Sequence, residues 1–381
     1  MNLSSIKGQE RAVASLLAAL ASRRMHHAWL FTGPAGSGKR TTAMALAAAA
    51  NCESPALDGD ACGACPSCRM MARGMHPDMH TVACQERIDS GALSGHVLTI
   101  EEAEQEHKEN REAAGREDES SEDAAGEGAG ESAGGKGDRR MIKIEVVRLL
   151  ERYMNDRAMQ GRYKVALVVD ADRMNPSAAN AILKTLEEPP GDSLIMLTSA
   201  APSSLLPTVR SRCQTVRFSA LDEGLVAREL CGRYKAGAEE AGMLAHLSDG
   251  SLGRAVALKD SGQLDWTLEQ VGAIAAVPSM TVTDALFLAE QIGKATGRGE
   301  GREKLLCVLD IMGIYYRDAA ACAWSGGWEA AIGAKQASPE TAIACFGLLE
   351  AARRELGLYL AAQVVLESLF LKMRSAVREV R

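Results

Sequence analysis

Aromatic residues are scarce in this chain: four Trp, six Tyr and five Phe make up 4% of its 381 residues. Neither a base-stacking platform nor an aromatic ligand cage finds support in so few rings. No run of about 18 uninterrupted apolar residues occurs, and the opening MNLSSIKGQERAV lacks a basic stretch followed by an apolar one. The expectation is a cytoplasmic protein with no membrane span. Excess positive charge is also missing, since the formal net charge is −7, which argues against a bulk electrostatic grip on DNA. The charge is uneven: Glu101 to Ser132 holds 13 acidic and three basic residues, a local net of −10. The remainder is about +3, compatible with a modest basic patch.

What is present suits an ordinary globular protein. Hydrophobic residues form 46% of the chain, enough for a large core, and the length suggests two or three domains. In a reducing compartment, ten cysteines are better read as metal ligands or small buried residues than as a disulfide framework.

Residues 164–213 organise the rest. Val165–Val169 and Leu194–Leu197 are short apolar runs that read as buried parallel strands. The first leads to Asp170, where a P-loop nucleoside-triphosphatase would hold magnesium, but the next residue is Ala171 rather than a carboxylate. Asp172, two positions beyond the strand end, is not expected to replace it. Between the runs, Asn175-Pro-Ser opens a helix over 178–188 that stops at Pro189-Pro190.

Upstream, an amphipathic helix over 9–23 precedes the strand Ala28–Thr32, then Gly33-Pro-Ala-Gly36-Ser-Gly38-Lys39 and an alanine-rich helix over 41–50. This is the G-x-x-x-x-G-K spacing of a phosphate-binding loop. Its glycines let backbone N–H groups approach phosphate oxygens, and the following helix adds its positive end. Arg40 stands where a Ser or Thr hydroxyl would coordinate magnesium. Thr41 is one residue late, rotated by about 100° around the helix. Phosphate binding is expected, and metal-assisted hydrolysis is doubtful.

Cys52, Cys62, Cys65 and Cys68 follow a C-x9-C-x2-C-x2-C spacing that suits a closed, structural zinc site with four thiolates. Asp58, Gly59 and Asp60 between them are not core-like, which favours metal ligation over packing. His76, His80 and Cys84 are alternative ligands.

Further strands are expected over 79–83 and 214–218, giving five with helix-length connections and therefore a parallel α/β sheet. Loops at the strands' carboxyl ends gather at one edge. Residues 101–140, rich in Glu, Gly, Ala and Ser, read as a disordered acidic insertion. A helix carrying Val146, Val147, Leu149 and Leu150 resumes the fold and reaches about Met154. Beyond Ala220 strand signals vanish and the chain reads as all-α, with short helices over 225–234, 238–247 and 252–258. Apolar stripes such as Leu305, Val308, Leu309 and Met312 continue it.

With the P-loop, Asp170-Ala-Asp172, Lys184-Thr-Leu-Glu-Glu-Pro-Pro190 and Ser211-Arg212-Cys213 read together, the chain resembles the bacterial DNA polymerase III clamp-loader subunits of the AAA+ class. The opening Ile6-Lys7-Gly8-Gln9 and His27-Ala28-Trp29-Leu30-Phe31 match as well. The resemblance covers roughly residues 6–84 and 142–218, and more weakly 250–255 and 358–371. It implies an AAA+ domain over 1–218 with a zinc module at about 50–80, a helical lid over 219–262 and a helical oligomerisation collar over 270–381. It implies a hetero-pentamer with gamma/tau and delta subunits that uses ATP to place a sliding clamp on primed DNA. Arg212 would act as an arginine finger toward the ATP of a neighbouring subunit. Gly33, Gly36, Gly38, Lys39, Asp170, Ser199 (sensor 1) and Arg254 (sensor 2) would line the chain's own nucleotide site. Ala171 and Arg40 depart from the motor subunits and fit a member that assists a neighbour's hydrolysis. Two alternatives stay open: a gamma/tau-like subunit that itself binds and hydrolyses ATP, and a zinc-dependent DNA-binding module.

Overall fold

The computed structural model describes residues 2–22, 24–89, 93, 96–106, 141–296, 300–321, 338–357 and 361–379. It divides into two units, Met1–Ala220 and Leu221–Arg381. Most of the acidic insertion, residues 107–140, lies outside the described residues.

In the first unit, strands β1 (Ala28–Thr32), β2 (Met79–Val82), β3 (Val97–Leu98), β4 (Lys164–Val168), β5 (Ser193–Ser199) and β6 (Gln214–Arg217) form one sheet in the order β3-β2-β4-β5-β1-β6. Every pairing is parallel. The five expected strands are present. The sixth, β3, has two residues and too short a pattern to read from sequence; it pairs Thr81 with Val97 and Val82 with Leu98.

Alternation along the central strands sends side chains to both faces of the sheet. Trp29, Phe31, Val165, Leu167, Leu194 and Met196 join one core with α1 (Glu10–Ala21) and α2 (Lys39–Ala50). Leu30, Ala166, Val168, Ile195 and Leu197 join a second core with α6 (Ile144–Asn155) and α7 (Pro176–Glu187). Burial of both faces explains why these strands read as continuous apolar runs. Alanines at 43, 45, 47, 48 and 49 are buried along α2, and their small side chains favour close approach to the layer beneath. Asn175 caps α7, its side chain accepting the Ala178 N–H at 2.7 Å.

Two sequence expectations need correction. The insertion does not begin as a disordered segment, because residues 100–106 are helical (α5) and Ala103 is buried. The Thr99 hydroxyl accepts the Glu102 N–H at 3.2 Å while the Glu102 carboxylate accepts the Thr99 N–H at 2.9 Å. That reciprocal capping box starts a helix in an otherwise acidic stretch. Asp60, read as not core-like, is buried, because it accepts the Leu3 and Ser4 N–H groups and the Ser4 hydroxyl.

The second unit is helical: α9 (Glu223–Tyr234), α10 (Ala238–Leu247), α11 (Leu252–Ser261), α12 (Leu264–Ala275), α13 (Val282–Thr296), α14 (Glu300–Ala321), α15 (Pro339–Gly357) and α16 (Ala362–Glu379). One apolar core runs through it from Val226 to Met373 and includes Leu305, Val308, Leu309 and Met312. Asp222 caps α9 and Ser251 caps α11 through backbone N–H groups. Among the described residues, no helix is long and apolar enough to cross a membrane.

Candidate functional site: a glycine loop at the carboxyl edge of the sheet

The loop between β1 and α2 turns through Gly33, Gly36 and Gly38 at φ of 146°, 72° and 94°, a region that favours glycine. A Cβ at Gly33 would lie 2.3 Å from the Phe218 carbonyl oxygen, so no larger residue fits where the segment after β6 crosses the loop. Gly38 is the N-cap of α2, which aims the helix's first N–H groups at the loop. Gln9 ties these pieces together, donating to the Ser37 carbonyl at 3.2 Å and the Ser219 carbonyl at 2.8 Å. The Lys39 ammonium donates to the Gly33 and Pro34 carbonyls at 2.6 and 2.7 Å. Burial lowers its pKa, partly opposed by Asp170 and Asp172.

Asp170 follows β4 in a left-handed conformation, φ 53°. Its N–H donates to the Thr198 hydroxyl at 3.0 Å, and its carboxylate faces the Arg87 Nε at 3.5 Å. Arg87 belongs to the short helix α4 (Gln85–Asp89), just beyond β2. The sequence pattern did not single it out, although the rule that ligands gather at the carboxyl ends of parallel strands points to that loop. Asp172, not expected at the site, acts with Asp170 against the burial that lowers the Lys39 pKa, and its carboxylate accepts the Ala200 N–H at 3.2 Å. Ala171 is buried and offers no polar group. Ser199 is fully buried; its carbonyl accepts the Gly33 N–H at 3.3 Å and its hydroxyl the Ala201 N–H at 3.1 Å.

Magnesium does not fit this edge. The side chain after Lys39 is a guanidinium, a donor with no lone pair to give a cation. Arg40 has its pKa lowered by burial and then by the neighbouring Arg87. The one carboxylate at the expected metal position, Asp170, is already faced by Arg87.

The four cysteines do converge. The Sγ atoms of Cys52, Cys62, Cys65 and Cys68 lie within 4.8 Å of one another and could hold a metal ion. A tetrahedral ion with bonds of about 2.3 Å to sulfur needs sulfurs just under about 4 Å apart, and the Cys52–Cys68 and Cys52–Cys65 separations are 3.6 and 4.0 Å. Backbone N–H groups of Ala64 and Cys65 donate to the Cys62 sulfur and lower its pKa to about 6, which favours the thiolate a metal requires. Cys65 also caps α3 (Pro66–Arg73), accepting the Cys68 N–H. The alternative ligands have other partners: His76 contacts the Ser67 hydroxyl and the Asp78 N–H, His80 stacks on Tyr153, and Cys84 faces Arg173.

Arg212 ends α8 (Pro207–Arg212). Its partners are Glu187, the Thr208 carbonyl and the Ser211 hydroxyl, so it is not brought to the chain's own glycine loop. Arg254 lies in the second unit, paired with Asp310 at 2.7 Å.

A family model described as "DNA polymerase III, delta subunit" matches residues 8–222. The chain belongs to this family. It is 36% identical over 200 residues to the DNA polymerase III subunit delta' of Pseudomonas aeruginosa, covering 52% of this chain and 45% of that protein. Identity to the subunit delta' of Escherichia coli K12 is 29% over 266 residues, 69% of this chain and 64% of that protein. To the subunit tau of the same organism it is 26% over 333 residues, 82% of this chain and 43% of that protein. These matches span less than two thirds of each relative's length. The resemblance carried by the P-loop, Lys184–Pro190 and Ser211–Cys213 is confirmed at the level of family.

Proposed function

We propose that this chain is a delta-prime-like, non-motor subunit of a bacterial clamp loader, cytoplasmic and built into a hetero-pentamer with gamma/tau and delta subunits. In that role it helps place a sliding clamp on primed DNA and supplies Arg212 to the ATP bound by a neighbouring subunit. The observation that carries the non-motor reading is the Arg87–Asp170 ion pair. A site that hydrolyses ATP with magnesium needs that carboxylate for the metal and a base or water-positioning group beside it, and Ala171 supplies none. Loss of such a group alone costs a factor of ~10²–10⁴. Arg212 retains a third of its side-chain exposure at the end of α8, which suits a group that acts on a neighbour. The four cysteines would hold structural zinc. Helices α9–α11 would form a lid over residues 219–262, and the helices over 270–381 a collar.

The test is ATP turnover. The isolated chain should show none, and Arg212→Ala should slow turnover by the assembled loader. Turnover by the isolated chain that disappears with Lys39→Ala would identify a gamma/tau-like ATPase instead.

A further inference from the structure

We infer that the glycine loop binds the polyphosphate of a nucleoside triphosphate without a metal ion, with Arg40 and Arg87 standing in for magnesium. The inference rests on reading Gly33 to Lys39 as a phosphate loop and is independent of what Arg212 does in a neighbour.

Three observations converge on it. The loop retains the features that receive phosphate oxygens: glycines at positive φ, the start of the 12-residue helix α2, and Lys39 held at its mouth by two carbonyls. The Ser37 hydroxyl, between Gly36 and Gly38, is buried with no hydrogen-bond partner among the described residues. Buried hydroxyls are normally satisfied, so this group points to a polar ligand in the loop. The charges at the edge also answer to an anion rather than a cation. Lys39, Arg40 and Arg87 bring three positive charges, and Asp170 and Asp172 bring two negative ones. Arg40 is the second residue of α2, directly after Lys39, and the Arg87 guanidinium lies 3.5 Å from the Asp170 carboxylate, so both cations belong to the edge where the loop meets the helix.

Chemically, magnesium in an ordinary P-loop site neutralises the β- and γ-phosphate oxygens and bridges them. Guanidinium forks can do the neutralising and bridging, because they match phosphate geometry with paired N–H donors. They cannot lower the pKa of a water or accept a proton. A site of this composition would therefore hold nucleotide in its ground state and turn over nothing.

Calorimetric titration of the full chain with ATP and with inorganic triphosphate, in excess EDTA and in excess magnesium chloride, provides the test. The expected result is binding in EDTA that is as tight as in magnesium to within about threefold. Arg40→Ser combined with Arg87→Ala should weaken the EDTA binding by about tenfold or more, the worth of a lost charged hydrogen bond. Arg40→Lys should keep part of it, and circular dichroism should show all variants folded. Binding that requires magnesium, binding in EDTA that ignores both arginines, or no binding of either probe would each overturn the inference. None of these outcomes would touch the trans role of Arg212, which is read from the turnover of the assembled loader.

Discussion

Glu187 Oε1 lies 2.5 Å from Arg212 Nη2, so the acidic end of Lys184–Pro190 and the arginine of Ser211–Cys213 meet in space. Two motifs that stand apart in the chain are one feature in the fold. The pair is partly exposed on both sides, and such pairs contribute ~0–1 kcal/mol to stability. Its consequence is orientation, since the pair holds Arg212 at one place on the end of α8.

Arg212→Ala is expected to reduce ATP turnover of the assembled loader by ~10³ or more, with the isolated chain's melting temperature little changed. Glu187→Gln should also lower turnover, by a smaller factor, while urea denaturation shows a stability change within about 1 kcal/mol. Unchanged turnover in both variants would remove the trans role.

Elemental analysis should find one zinc per chain, held by Cys52, Cys62, Cys65 and Cys68. Cys68→Ser should release it and lower Tm by about 5 °C or more, because metal binding energy becomes folding energy. Metal-free protein with an unchanged Tm would refute a structural site.

Asp60 links the cysteine module to the first residues of the chain. Its carboxylate accepts N–H groups from Leu3, Ser4 and Ala61. Burial acts to raise its pKa, but those donors outweigh it and hold the value below the ordinary one. Its contribution is therefore full above about pH 4, the unfolded value, and disappears as pH falls through the depressed folded value. Asp60→Ala should cost about 1–3 kcal/mol in urea denaturation at neutral pH, since buried donors lose their acceptor. A cost near zero would mean that water satisfies them equally well.

His246 on α10 faces Asp318 on α14 at 2.7 Å and Glu223 on α9 at 3.3 Å, and Arg317 contacts the other Asp318 oxygen. The hydrogen bond that His246 donates to Asp318 raises the histidine pKa despite burial. The charged histidine therefore stabilises the second unit fully below about pH 6.5, the unfolded value, and the gain is lost as pH rises through the raised folded value. Unfolding free energies of the full chain from urea denaturation should fall with pH across that window by about 1–2 kcal/mol more than those of His246→Gln. Parallel profiles would rule the pair out as a contributor.

Local pattern was enough for much of this protein. The glycine spacing before an alanine-rich helix, the runs that became β4 and β5, the Asn175 cap and the four closely spaced cysteines all depend on neighbours in sequence. So does the missing carboxylate at Ala171. Other features required the fold. Arg87 reaches Asp170 only because parallel pairing of β2 with β4 carries α4 to the same edge. Asp60 did not read as core-like because its donors, Leu3 and Ser4, lie far back in the chain. The meeting of Glu187 with Arg212 and of His246 with Asp318 follows from helix packing, not from spacing. Sequence by itself determined which local conformations and ligand types were available, because hydrophobic period, caps and turn residues act over a few positions. Tertiary structure alone decided which charges face one another, because electrostatic partnership depends on distance in space and on burial.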